Sequence, residues 1–361
     1  VRQILRDFDD LGRTSYEGAS RTAWINLDAD GVGNWTTPPD ETSQYELVRN
    51  GPLLGTNGRE HVVWDGFTVR ENDTYHPDTG PVVLWGSTDV ALLGCDVEST
   101  PELLYDNHNA VRIEGTTRAV VRNNRLHGVD PIEIGRNNPQ NHAAIMIYSS
   151  SDLVIEHNEI FDSYVGIFPK GGDRGHVIRH NEIHDCDKAV RVSYHQDVTI
   201  YGNVIHDVRM ALQGAEENDR VRFFNNTVHR SEWGLYNWFA IDGVAVFNNV
   251  FSEVANPVYC EGDAGSFSEH HDVVHDFVDF VILNENVGGL GTWQSMGYGD
   301  GSQELDPEFV DAAGGDYRLG ESSSARAVGI DLEDLDGDGD TGEAIAAGAY
   351  VSGDETIGRY R

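Results

Sequence analysis

The residues of this chain best suited to chemistry are a lysine and an arginine on neighbouring repeats. Only two lysines, Lys170 and Lys188, occur in 361 residues, against 23 arginines. Lys170 ends the apolar run YVGIFPK, and Arg191 lies inside the related run KAVRVSY. A nearby cation disfavours a charged ammonium, so a lysine beside an arginine in an enclosed groove has a lowered pKa and can act as a general base. This pairing suits β-elimination on a uronic acid. The base removes the C5 proton, the cation holds the carboxylate and developing enolate, and a proton donor assists the leaving oxygen. The alternative for Lys170 is a strand-end cation bonded to Asp173 or a carbonyl.

Arg112, Glu114, Tyr148, Tyr236, Trp238 and Tyr259 fall on outward positions of similar runs. Aromatic rings there could stack on the apolar face of a sugar. Nearer the C-terminus, Asp334, Asp336, Asp338 and Asp340 alternate with Leu335, Gly337 and Gly339. Alternating carboxylates on a Gly-rich turn can converge on one Ca²⁺, here in a structural role, and a solvated acidic turn is the alternative. Gly339 fits the sixth position of an EF-hand loop, but Ile345 stands where the bidentate glutamate belongs. The turn Asp28/Asp30/Asn34 is a weaker metal candidate. His270, His271, Asp272, His275 and Asp276 have metal-capable types but read as a solvated loop. A glycoside hydrolase needs two carboxylates flanking one bond. Glu114 and Glu261 fall many repeats apart, and Glu216 with Glu217 forms a corner pair, so hydrolysis ranks below elimination.

The elements that must position these groups are set by a repeat. Asn158, Asn181, Asn203, Asn226 and Asn249 are separated by 23, 22, 23 and 23 residues, within LVIEHNEIFD, HVIRHNEIHD, VTIYGNVIHD, VRFFNNTVHR and VAVFNNVFSE. Asn124 extends the series, and Cys95 and Phe67 hold the same slot upstream. Short apolar runs broken by Gly, Asn and Asp, without helical periodicity, predict an all-β solenoid whose stacked units share one core. Asn at a sharp corner tolerates left-handed backbone angles, and stacked amides can form a ladder. Strand alternation points Val111, Ile145, Ile167, Val190, Leu212, Leu235 and Val258 inward. The expected regions are an irregular segment and the first coils over 1–60, coils of about 22 residues over 61–262, and an irregular C-terminal region with a cap over 263–361.

Residues 60–262 resemble the right-handed parallel β-helix proteins, and the C-terminal residues resemble the segment that closes many secreted β-helices. Lys170, then Ile178-Arg179-His180-Asn181, then Arg191 resembles the β-helix polysaccharide lyases that include alginate lyases and chondroitinase B. That resemblance implies Lys170 as the base and Arg191 as proton donor or charge stabiliser. Ser163 and Val165 stand where that family often carries Ca²⁺-binding acids, and Gly171, Gly172 and Val192 also depart from its pattern. Asp130-Pro131-Ile132-Glu133 is similar to the Asp-Pro-His motif of mannuronan C5-epimerases, without the histidine.

The formal charge of −36, from 61 acidic and 25 basic residues, resembles proteins of salt-loving organisms. It argues against nucleic-acid binding, since no basic stripe is present. An acidic polysaccharide would be repelled at low salt, a repulsion that strong salt screens. No apolar stretch is long enough to span a membrane. Val1 at the start is expected of a processed product, and an extracellular or cell-surface location is expected from the C-terminal resemblance. Cys95, Cys186 and Cys260 cannot all pair and read as buried thiols. The non-enzyme alternative is a glycan-binding or structural protein of a cell surface or filament, with self-association or surface attachment.

Overall fold

The computed structural model describes residues 52–71, 80–99, 108–129, 141–172, 174–216, 218–237, 243–260, 267–282, 285–336 and 338–360, together with the backbone of an antiparallel hairpin, Thr14–Glu17 with Thr22–Ile25. The chain winds into stacked coils of parallel strands with three faces. The first face is a nine-stranded sheet that includes Val154–Glu156, Arg174–Arg179, Gln196–Tyr201 and Asp219–Phe224. The second and third faces join in long bent strands such as Glu159–Pro169, Val204–Ala215 and Thr227–Asn237. The sequence repeat is the strand register. On the first face Ile155 pairs with Ile178, Ile178 with Ile200, Ile200 with Phe223 and Phe223 with Val246. All five are buried in one continuous core, as are Val111, Ile145, Ile167, Val190, Leu212, Leu235 and Val258 on the third face.

The asparagine ladder runs as expected through the corner between the first two faces. Nδ2 of Asn124 donates to Oδ1 of Asn158 at 3.0 Å, and the same bond links Asn158 to Asn181, Asn181 to Asn203, Asn203 to Asn226 and Asn226 to Asn249. Each Oδ1 also accepts the backbone N–H of the preceding asparagine, so no buried amide is wasted. The left-handed backbone expected at the ladder belongs instead to the residue before it: Asn123, His157, His180, Gly202, Asn225 and Asn248 all have positive φ. The ladder residue supplies the hydrogen bonds and its neighbour makes the turn.

Parallel pairing extends beyond 61–262 at both ends, from Leu54–Gly55 on Val82 and Val83 to Gln303–Glu304 on Val273 and Val274. Asp272 takes the next ladder slot, accepting from Nδ2 of Asn249 at 3.0 Å, so it is a corner residue and not a loop ligand. The stack is closed by Leu290–Ser295, whose buried Trp293 stacks 4.8 Å from Phe280. The remaining C-terminal residues fold back along the ladder corner. Asn248 clamps both backbone groups of Ile330, Thr227 accepts from Ala349 N, His180 O accepts from Gly358 N, and Asn123 accepts from Tyr360 N. Many arginines bridge adjacent coils to acids, as in Arg118–Asp89, Arg220–Asp197 and Arg230–Asp207, which disperses positive charge over the surface. No helix among the described residues is long and apolar enough to cross a membrane.

Candidate active site

The third face carries the lysine–arginine pair. Its strand register places Arg112 beside Met146 and Met146 beside Phe168, then Arg191 beside Gln213, Gln213 beside Tyr236 and Tyr236 beside Tyr259. Phe168 and Arg191 are level, because Ile167 pairs with Val190. Two residues further along the strands, Glu114 pairs with Tyr148, and Lys170 forms a bridge with Ser193. Lys170 and Arg191 therefore sit on adjacent coils, offset by one strand repeat, on the side opposite the core.

Lys170 is half-buried, and its Nζ donates to the amide oxygen of Asn141 at 2.8 Å. The ammonium lies 5.5 Å from the ring centre of Phe168 and 5.8 Å from that of Tyr148. Burial, and then the positive charge of Arg191, lower the Lys170 pKa, with Glu216 opposing them. The Arg191 guanidinium lies 4.7 Å over the Phe168 ring and its Nη2 3.8 Å from Oε1 of Glu216, whose Oε2 accepts from Ser193 Oγ. Phe168 is thus an apolar floor between the two cations, fully buried itself. This setting makes a neutral lysine cheaper and keeps a permanent cation beside it.

Arg112 stacks 4.7 Å from the Tyr148 ring, and its Nε donates to Glu114 at 2.8 Å, so Arg112, Glu114, Tyr148, Lys170 and Arg191 form one cluster. Tyr236 and Tyr259 stack on each other at 4.6 Å with rings 1° from parallel, two and three coils beyond Arg191. Tyr259 is only 9% exposed and also meets Trp233 edge-on, so Tyr236 is the more open member of the pair. Trp238, Glu261, Asp173 and the Asp130–Glu133 stretch lie outside the described residues, as do Asp28, Asp30 and Asn34.

Sequence reasoning missed Asn141 and the role of Glu216. It also missed the second lysine, Lys188, which pairs in register with Val165 on the coil after Lys170. Its Nζ contacts Asp187 and lies 3.9 Å over the Tyr164 ring, and Asp187 also accepts from Arg209 at 2.5 and 2.8 Å. The signal was available: Lys188 is the only other lysine and shares the strand of Arg191. In the acidic turn, Asp334, Asp336 and Asp338 bring carboxylate oxygens within 4.8 Å of one another, and Asp340 does not join them. A second group, Asp331, Asp336 and Glu343, meets the same distance. A cleft of about 510 Å³ opens between the first face and the folded-back C-terminal residues, lined by His180, Tyr201, Phe224, Glu333 and Glu355. It lies on a different face from Lys170 and holds no base–cation pair.

Residues 65–256 match the family model described as the right handed beta helix region, and the chain belongs to that family. No curated protein matches the sequence. Similar solved structures include pectate lyase Pel9A, at 12% identity over 79% of this chain and 76% of that one, with a TM-score of 0.47. XylC in complex with xylose matches at 12% identity over 58% of this chain, with a TM-score of 0.38. An alginate lyase of the PL6 family matches at 12% over 70% of this chain, with a TM-score of 0.24. The chain spans 39% of the length of XylC and 54% of that of the alginate lyase. These are likenesses of fold.

Proposed function

We propose that this right-handed β-helix is an extracellular polysaccharide lyase that cleaves a uronate-containing polymer by β-elimination. One observation carries the proposal: Lys170, half-buried on the third face, is bonded to a neutral amide and has its pKa lowered by burial and by Arg191 on the next coil. Neutral Lys170 Nζ takes the C5 proton. The released electron pair becomes the C4=C5 double bond, and the C4–O bond breaks. Arg191 holds the uronate carboxylate as charge moves onto it. The leaving oxygen takes a proton from a donor at the site. Tyr148, Arg112 and Glu114 border the reacting sugar, and Tyr236 supports a sugar further along the polymer.

The test is the ultraviolet absorbance of the unsaturated uronate product. Alginate, pectate and chondroitin sulfate are each mixed with the protein in strong salt, beside Lys170→Ala. A rise that the variant loses supports elimination and identifies the substrate class. No rise on any polymer from folded protein sinks it.

A second reading is favoured by how closed the face is: Arg191 is 5% exposed and Tyr259 9%. On that reading the chain binds acidic glycan at a surface, or another copy of itself, without cleaving. Polymer retention without product, lost in Tyr236→Ala, would support it.

A further inference from the structure

Asp331 and Glu343 stand either side of eleven residues, and the two ends of that stretch meet. Asp331 N donates to Glu343 O at 2.9 Å, and Gly342 N donates to Asp331 O at 2.5 Å. Three carboxylates are drawn together there, from Asp331, Asp336 and Glu343, with one oxygen of each within 4.8 Å of the others. Proximity of acids alone would mean little on a chain this acidic. The distinguishing feature is Asp331, which has no solvent exposure. Its Oδ1 accepts from Leu335 N at 2.8 Å and Glu333 N at 3.3 Å, whereas its buried Oδ2 has no partner among the described residues. Glu343 Oε1 is also shielded and without a partner among the described residues, although the rest of that side chain is open to solvent. A buried, unpaired carboxylate oxygen such as that of Asp331 is costly, and two further acids beside it make it worse unless a cation sits among them.

We infer that Asp331, Asp336 and Glu343 hold a Ca²⁺ ion that clamps the C-terminal residues to the side of the solenoid. Calcium–oxygen distances of about 2.4 Å place two ligand atoms no more than about 4.8 Å apart, the span these oxygens occupy. Asp338 or Asp334, backbone carbonyls and water complete the shell of six to eight oxygens that calcium takes. Glu343 occupies the role that Ile345 cannot fill, so the ligand set differs from the run Asp334, Asp336, Asp338 and Asp340. Asp334, Asp336 and Asp338 each spend Oδ1 on a backbone N–H within the turn, which shapes the loop. Both flanks of the loop are tied to the coils. Ile330 is held by Asn248, and Ala346 and Gly348 accept from Asn225 Nδ2. A cation closing the loop therefore also fixes the spacing of those two clamps. The inference stands apart from the lyase reading, because the site lies on the ladder corner and shares no residue with the Lys170 cluster.

The test is calorimetric titration of CaCl₂ into the chelator-treated full chain in strong NaCl, with the thermal midpoint followed alongside. One saturable site per chain and a rise in midpoint are expected. Glu343→Gln and Asp331→Asn should each weaken binding by about tenfold or more, and Asp340→Asn should leave it within about twofold. Far-ultraviolet circular dichroism checks that each variant folds, and Glu343→Gln carries the test should Asp331→Asn not fold. No calcium uptake by the native chain overturns the inference. So does equal uptake of MgCl₂, or binding lost in Asp334→Asn and Asp338→Asn but kept in Glu343→Gln.

Discussion

Lys170 and Lys188 stand on successive coils of one face, and burial is the largest cause lowering the pKa of both. Arg191 presses on each of them. Their partners differ. Lys188 is 4% exposed and held by the Asp187 carboxylate, itself gripped by Arg209, yet burial still brings it down to about 8. Lys170 is more open, and among the described residues its ammonium meets the neutral oxygen of Asn141 and two aromatic rings. A lowered pKa alone would favour Lys188 as the base. Geometry decides otherwise, because a base must reach the proton it removes. Releasing a proton from Lys188 breaks an ion pair, whereas the hydrogen-bond partner of Lys170 among the described residues is the neutral amide oxygen of Asn141.

The largest effect that can break this comparison is on turnover. Lys170→Ala should lower kcat on the cleaved polymer by about 10³-fold, the range expected for loss of a general base. Lys188→Met should keep kcat within a few-fold. The reverse pattern would transfer the chemistry to Lys188.

Next comes stability. The folded pKa of Lys188, about 8, lies below the ordinary lysine value of 10.5. Between those values the unfolded chain binds more protons at this site, so the Lys188 contribution to stability rises with pH across that window and is lowest below it, while the buried Cys95 and Cys260 thiols, pushed up to about 11 and about 12, contribute with the opposite sign. The full gain is roughly 3 kcal/mol. Chemical denaturation of the native chain and of Lys188→Met, at several pH values, checks it. The difference in stability between the native chain and the variant should rise with pH across the window, and a flat difference would show that Lys188 does not titrate there.

Arg191→Gln should lower kcat/KM by about 10²-fold through lost stabilisation of the carboxylate and enolate. It should also move a pH limb. Activity requires neutral Lys170, so it rises with pH through the folded pKa of that group, which lies below 10.5. Removing the neighbouring cation raises that pKa and shifts the limb to higher pH. A pH–rate profile with an unmoved limb would separate Arg191 from Lys170.

What the sequence made legible is what stacking forces to repeat. A fixed coil length exposes the ladder from Asn158 to Asn249 and the inward column from Ile145 to Val258, because each slot meets the same slot above and below. The same spacing reaches Asp272, 23 residues after Asn249, but a change of residue type hid it. Contacts made once have no period to betray them. Asn141 reaches Lys170 from the long coil between Asn124 and Asn158, and loop closure brings Asp331 to Glu343. The clamps on the C-terminal residues come from Asn225 and Asn248, the turn-forming members of Asn-Asn pairs whose second members build the ladder. A run of four alternating aspartates drew the eye to Asp340, while the buried acid that distinguishes the site lies outside the run.

The smallest expected effect sharpens the comparison by extending it along the face. Tyr236 lies two coils beyond Arg191, a span of about 10 Å at the spacing of neighbouring strands. It would therefore contact a sugar other than the one that loses its C5 proton. A contact made equally in the ground and transition states raises KM when removed and leaves kcat alone. Tyr236→Leu should raise KM several-fold, the loss of about 1 kcal/mol of ring stacking. Tyr259→Leu should instead lower the thermal midpoint more than it raises KM, because that ring is nearly closed off and supports Tyr236 from the next coil. Oligosaccharides too short to span from Lys170 to Tyr236 should be cleaved alike by the native chain and Tyr236→Leu. A loss of kcat in that variant on short substrates would place Tyr236 at the reacting sugar and redraw the groove.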